Sequence, residues 1–140
     1  MDFDTIRMAR VGSTTPKTSR QTPVPGFSTG DDSSACSLDL NEELLTNPAA
    51  SFFLRVRGEA MIGAGIFDGD LVIVDRSLKP QSGKVVIAVL HGEMLIRRFE
   101  KSFHKMRLLP ETNRLAPIDI DPTNEAFSIW GVVTCVIHRL

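Results

Sequence analysis

Residues 57–66 read RGEAMIGAGI and come directly after SFFLRV (51–56). The first run has glycines at 58, 63 and 65. The second is rich in the aromatic and β-branched residues that favour strands. A glycine-rich bend behind a hydrophobic strand is suited to presenting one side chain to a site. The central residue of this bend, Ala60, has no functional group to present. The next stretch, DGDLVIVD (68–75), reads as a tight turn followed by an apolar strand at Leu71–Val74.

Strand signals continue outward from this bend. KVVIAVLHGEMLIRRFEK (84–101) predicts a β-hairpin with His91-Gly92 as its two-residue turn. That turn sets Leu90 opposite Glu93 and Val86 opposite Arg97. Glu93, Leu95, Arg97 and Phe99 then share one face, and Met94, Ile96 and Arg98 the other. Both faces mix apolar and basic residues, so periodicity leaves open which arginine points inward. KMRLLP, APIDID and FSIWGVVTCVIHRL supply further strands, the last with a bulge or bend expected at Gly131. LDLNEELLTNP (38–48) predicts one short helix, with Asn41 as cap, Glu42 and Glu43 in the first turn and Pro48 beyond the end. The expected fold is mostly β, a small twisted sheet or partly closed barrel with one or two short helices.

The N-terminal region has a different composition. From Val11 to Ser34, about two thirds of the residues are Ser, Thr, Pro or Gly. Residues 1–35 are therefore expected to be a flexible arm and 36–140 a single folded domain. Only VPGF (24–27) offers apolar residues, Val24 and Phe27, that could dock.

Bulk composition narrows the function. Hydrophobic residues are 42% and charged residues 24%, with a formal net charge of −1, which gives no whole-chain electrostatic footprint for nucleic acid. A local basic patch is still compatible with these numbers. Cys36 and Cys135 are far apart and read as two unpaired thiols of a reducing compartment. No apolar run approaches a membrane span, and the first ten residues lack a signal core, so the expected location is the cytoplasm. His91, His104 and His138 have no ligand spacing, and no metal or cofactor is expected. Asp119, Asp121 and Glu125 lack the glycine and terminal glutamate of a calcium loop and read as a solvated loop. Trp130 and the phenylalanines form no stacking array and read as core.

Taken as a block, residues 39–78 resemble the UmuD family of SOS mutagenesis proteins, relatives of the C-terminal domains of LexA and phage repressors. The matching motifs are Gly58-Glu59-Ala60-Met61, Gly65-Ile66-Phe67-Asp68-Gly69-Asp70, and Leu71 to Asp75. They continue in the hairpin, in Leu108, Leu109, Pro110 and Asn113, in Trp130 to Val133, and in Gly26-Phe27 of the arm. The resemblance implies a LexA C-terminal-domain-like fold carrying a serine–lysine self-cleaving site. It implies a homodimer that RecA filaments on single-stranded DNA stimulate to cut its own arm. The shortened protein would then serve a UmuC-type translesion polymerase, without direct sequence-specific DNA binding or membrane association.

The resemblance puts the nucleophilic serine at Ala60 and the general-base lysine at Arg97, which selects Arg97 over Arg98. Ala60 has no oxygen, and arginine keeps its proton at ordinary pH, so either change alone removes the mechanism. The bond matching the family's cleavage site is Pro25-Gly26, where proline removes a backbone donor from an arm docking as a strand. The chain is thus expected to be silent for cleavage. The alternatives are a natural pseudo-peptidase acting as a binding module and a repressor-type dimerisation domain.

Overall fold

A computed structural model of the chain describes residues 7–10 and 37–140. In chain order the elements are β1 (Arg7–Arg10), α1 (Leu40–Leu44), β2 (Ser51–Arg55), β3 (Leu71–Asp75), β4 (Val85–Leu90), β5 (Glu93–Lys101), β6 (Met106–Leu109), β7 (Ile118–Ile120) and β8 (Phe127–Ile137). Single 3-10 turns cover Pro48–Ala50 and Ile62–Ala64. The eight strands make one antiparallel sheet in the order β1-β2-β3-β8-β4-β5-β6-β7. No ladder joins β7 to β1 among the described residues, so the sheet stays open. The mostly-β class expected from the sequence is the one observed.

The hairpin register is the expected one. Leu90 pairs with Glu93 and Val86 with Arg97. His91 and Gly92 have φ of 50° and 79°, the left-handed pair that lets a two-residue turn follow the strands' twist. The apolar run of β4 reflects burial on both faces. Ile87 enters one core cluster with Leu54, Val56, Val72, Val74 and Ile96, while Val86 and Ala88 enter a second with Phe99, Leu108 and Val132. Most of these side chains are fully buried, and each one larger than alanine stabilises the fold by about 1.5–3 kcal/mol relative to exposure.

β8 is long because it serves two partners. Val132 pairs with both Val86 of β4 and Asp75 of β3. On one side the register skips Trp130, between Ile129 and Gly131; on the other it skips Thr134, between Val133 and Cys135. The bend expected near Gly131 is therefore one of two bulges, which let a strand turn from one neighbour to the next. Trp130 packs against the first cluster, edge-on to Phe52 at 5.1 Å and beneath the Arg76 guanidinium at 4.6 Å.

One local expectation is corrected. The cap of α1 is Asp39, not Asn41: its carboxylate accepts the Asn41 N–H at 2.9 Å. Both residue types cap well, and the helix starts at Leu40, which makes Asp39 the flanking residue. At the N-terminus, residues 7–10 pair as an edge strand with β2, and the rest of the stretch read as an arm lies outside the described residues, as does Cys36. Cys135 is a free thiol.

Candidate functional site

The bend at 57–66 is braced from two sides. Beneath it, the Asp68 carboxylate accepts the Gly58 N–H at 2.7 Å, and the Gly69 N–H donates to the Val56 carbonyl at 2.8 Å. The Asp70 carboxylate accepts the Phe67 N–H at 2.8 Å and meets His138 Nδ1 of the C-terminal segment. The Asp-Gly-Asp motif is the tight turn expected, and it also buttresses the bend before it.

The second brace comes from the segment after β6. The Glu111 N–H donates to the Ala60 carbonyl at 2.7 Å, and the Glu111 carbonyl accepts the Gly63 N–H at 2.8 Å. A Cβ at residue 63 would lie 2.7 Å from that carbonyl oxygen, so glycine is required for the close approach. The Glu111 side chain reaches Arg98 Nε on β5, and Arg114 Nη1 reaches Glu59 at 3.1 Å.

Ala60 is 2% exposed, in the cluster formed with Val56, Met61, Ile66, Ile87 and Ile96. Arg97 is 4% exposed and is the more buried of the two adjacent arginines. Ile96 belongs to Ala60's cluster, whereas Arg97 is the next residue, turned by strand alternation to the face of Val86 and Phe99. Arg97 Nη1 donates to the Ile96 carbonyl at 2.7 Å. Arg98, on Ile96's face, is tied to the bend through Glu111. Pro25 and Gly26 lie outside the described residues.

Glu111 had not been singled out from the sequence. Its role rests on backbone groups pairing across about fifty residues of sequence, which no local pattern announces. The Asp119–Glu125 run serves as a turn. The Asp121 carboxylate accepts the Thr123 N–H and hydroxyl at 2.9 and 2.8 Å, which lowers its pKa below the ordinary value.

Ala60 and Arg97 are the two positions that the family resemblance would put at the reacting centre. A buried apolar pocket favours a neutral amine over an ammonium and could activate a serine beside it. A methyl group at 60 and a guanidinium at 97 supply neither. Two surface depressions, of about 300 and 250 Å3, are lined by Ala64, Ile66 and the end of β8, and by Asp68–Leu71 with Ile137–Arg139. Neither is lined by Ala60 or Arg97. No helix among the described residues is long and apolar enough to cross a membrane.

Comparison with known proteins covers both the bend and the sheet. The Peptidase S24-like family matches residues 22–134. Protein ImpA of Salmonella typhimurium is 44% identical over 107 residues, 73% of this chain and 68% of that protein. Protein MucA of Escherichia coli is 40% identical over 97 residues, 69% of this chain and 66% of that protein. The LexA repressor of Shewanella piezotolerans is 40% identical over 92 residues, 66% of this chain but 45% of the repressor. With the match running from ahead of the helix into β8, the chain belongs to the Peptidase S24-like family, the UmuD/LexA family of serine–lysine self-cleaving peptidases.

Proposed function

We propose that this chain is a UmuD-like protein of the SOS response that acts as an accessory subunit of a UmuC-type translesion DNA polymerase and is itself silent for cleavage. The observation that carries the reading is the bend itself. Its backbone is braced from two sides, and the family resemblance would put the nucleophile at Ala60. Identities of 44% to ImpA and 40% to MucA support the mutagenesis-protein reading.

In this reading Arg97 occupies the general-base position and Pro25-Gly26 the scissile bond. The protein works as a homodimer in the cytoplasm, presenting its arm and sheet surface to the polymerase subunit and to RecA on single-stranded DNA. Burial of the Arg97 guanidinium favours the pseudo-peptidase form of the reading, since the charge has been built into the fold rather than left at the surface.

The test is restoration. Ala60→Ser, Arg97→Lys and their combination, each with and without Pro25→Ala, are incubated with RecA, nucleotide and single-stranded DNA, or at alkaline pH. A fragment beginning at Gly26, seen only when both site changes are present, is the expected result. If no combination yields it, the self-cleavage ancestry of this bend is refuted. Co-purification with a UmuC-type subunit tests the partner separately.

A further inference from the structure

The net charge of −1 conceals a sharp local asymmetry. Residues 76–84, RSLKPQSGK, and residues 101–107, KSFHKMR, hold six lysines and arginines and no carboxylate. The fold sets these two stretches side by side. Ser82 Oγ accepts the Lys101 N–H at 3.1 Å, the Gly83 N–H donates to the Phe99 carbonyl at 2.7 Å, and the Phe99 N–H donates to the Lys84 carbonyl at 2.8 Å. Two of the six cations are engaged: Arg107 pairs with Asp119, and Arg76 lies over Trp130. Lys79, Lys84, Lys101 and Lys105 are exposed and form no salt bridge among the described residues. Of the two carboxylates that directly flank these stretches, Asp75 is buried and accepts the Ser77 N–H and hydroxyl, and Glu100 alternates to the other face from Lys101 and stands opposite Arg107 in the ladder.

At the tip of the β5–β6 hairpin, Phe103, expected with the other phenylalanines in the core, is instead 96% exposed. A large aromatic ring left in water is unfavourable and contributes nothing to either core cluster. The tip is closed on itself. The Ser102 N–H closes on the Lys105 carbonyl at 2.8 Å, and His104 meets the Phe103 ring edge-on at 4.8 Å. An exposed ring on a closed turn, with a lysine two residues away on each side, has the two elements of a single-strand binding surface. The ring can stack on a base whatever its identity, and the lysines can track the phosphates.

We infer that the β5–β6 hairpin tip and the 76–84 loop form a sequence-independent binding surface for single-stranded nucleic acid, with Phe103 as the stacking platform. Charge complementarity selects a polyanion, and the exposed ring between Lys101 and Lys105 in sequence selects one with accessible bases. Stacked bases inside a duplex offer no free face to Phe103, so duplex DNA fits the surface less well. This surface is independent of the self-cleavage reading, because it includes none of the residues of the bend.

The test is fluorescence anisotropy of the full chain with a labelled oligothymidylate at several salt concentrations. An abasic oligomer of the same length and a duplex serve as comparators. Binding of the thymidylate strand is expected to exceed that of the abasic strand and the duplex. Phe103→Ala should weaken it about tenfold or more. The double change Lys101→Gln and Lys105→Gln should reduce the slope of log K against log salt by about 1.4. Arg139→Gln, away from the patch, should leave binding unchanged. Circular dichroism melts of these surface variants should match the parent. Failure to bind the strand at low salt overturns the inference. So does equal affinity for abasic or duplex DNA, or binding only to polyglutamate or phosphatidylserine vesicles.

Discussion

Replacing Gly63 by alanine tests whether the bend is held as the structure describes. Gly63 is not among the positive-φ residues, so alanine suits its backbone and on unfolded-chain entropy alone should stabilise by about 0.4–1 kcal/mol. Opposing this, the new Cβ would lie 2.7 Å from the Glu111 carbonyl oxygen and 3.4 Å from its carbon. The obstacle is backbone, which cannot swing aside as a side chain can. Relief requires the 109–112 segment to withdraw. That strains the Gly63 N–H to Glu111 bond and the neighbouring Glu111 N–H to Ala60 bond, of 2.8 and 2.7 Å. Overpacking costs about 1–3 kcal/mol and each weakened hydrogen bond up to about 1 kcal/mol, so the clash outweighs the entropy gain. The net expectation is a loss of about 1–4 kcal/mol and a melting temperature lower by roughly 5–15 °C. Urea unfolding followed through Trp130, the one tryptophan, measures the first. Hydrogen exchange at the Glu111 amide, which should accelerate, locates the damage. A melting temperature unchanged or raised, with the Glu111 amide still protected, would refute the bracing argument.

Glu111→Gln, which removes only the partly exposed ion pair with Arg98, should cost less than about 1 kcal/mol in the same urea assay. Asp70→Ala should lower stability by about 1–3 kcal/mol, because the carboxylate is 3% exposed and holds both the Phe67 N–H and His138; His138→Ala, truncating a 45% exposed partner, should cost less, and the reverse order would argue against a buttressing role for Asp70. The Asp121 carboxyl should titrate below the ordinary aspartate value by NMR, held there first by the Thr123 N–H and then by its hydroxyl. Because the folded value is the depressed one, its stabilising contribution is present above the unfolded pKa and fades as pH falls through the folded one. Thr123→Ala, which removes the hydroxyl but keeps the amide, should move the titration only part of the way back.

Much of the architecture was legible in advance because it follows from short-range rules. The two-residue turn at His91-Gly92 determined the pairing of Val86 with Arg97, since once a turn is set every later pair follows by counting. The apolar run of β4, the tight turn at Asp68–Asp70 and the irregularity at Gly131 were likewise readable from residue type and spacing. The helix cap shifted by two residues because Asp39 and Asn41 are both good caps, and only the position of the helix start chooses between them.

For the site, the sequence by itself determined what chemistry residues 60 and 97 can carry, because a methyl group and a guanidinium have those limits in any fold. Which arginine is buried, and what braces the bend, was decided only by the tertiary structure. Both faces of β5 mix apolar and basic side chains, so alternation could not rank Arg97 against Arg98 until the second core cluster formed on one side and Glu111 on the other. The same holds for the basic surface around Phe103, whose two halves lie about twenty residues apart in sequence. Local preferences act over a few residues. Hydrogen bonds between distant segments, such as the Glu111 N–H to the Ala60 carbonyl and the Lys101 N–H to Ser82 Oγ, exist only once the sheet has brought those segments together.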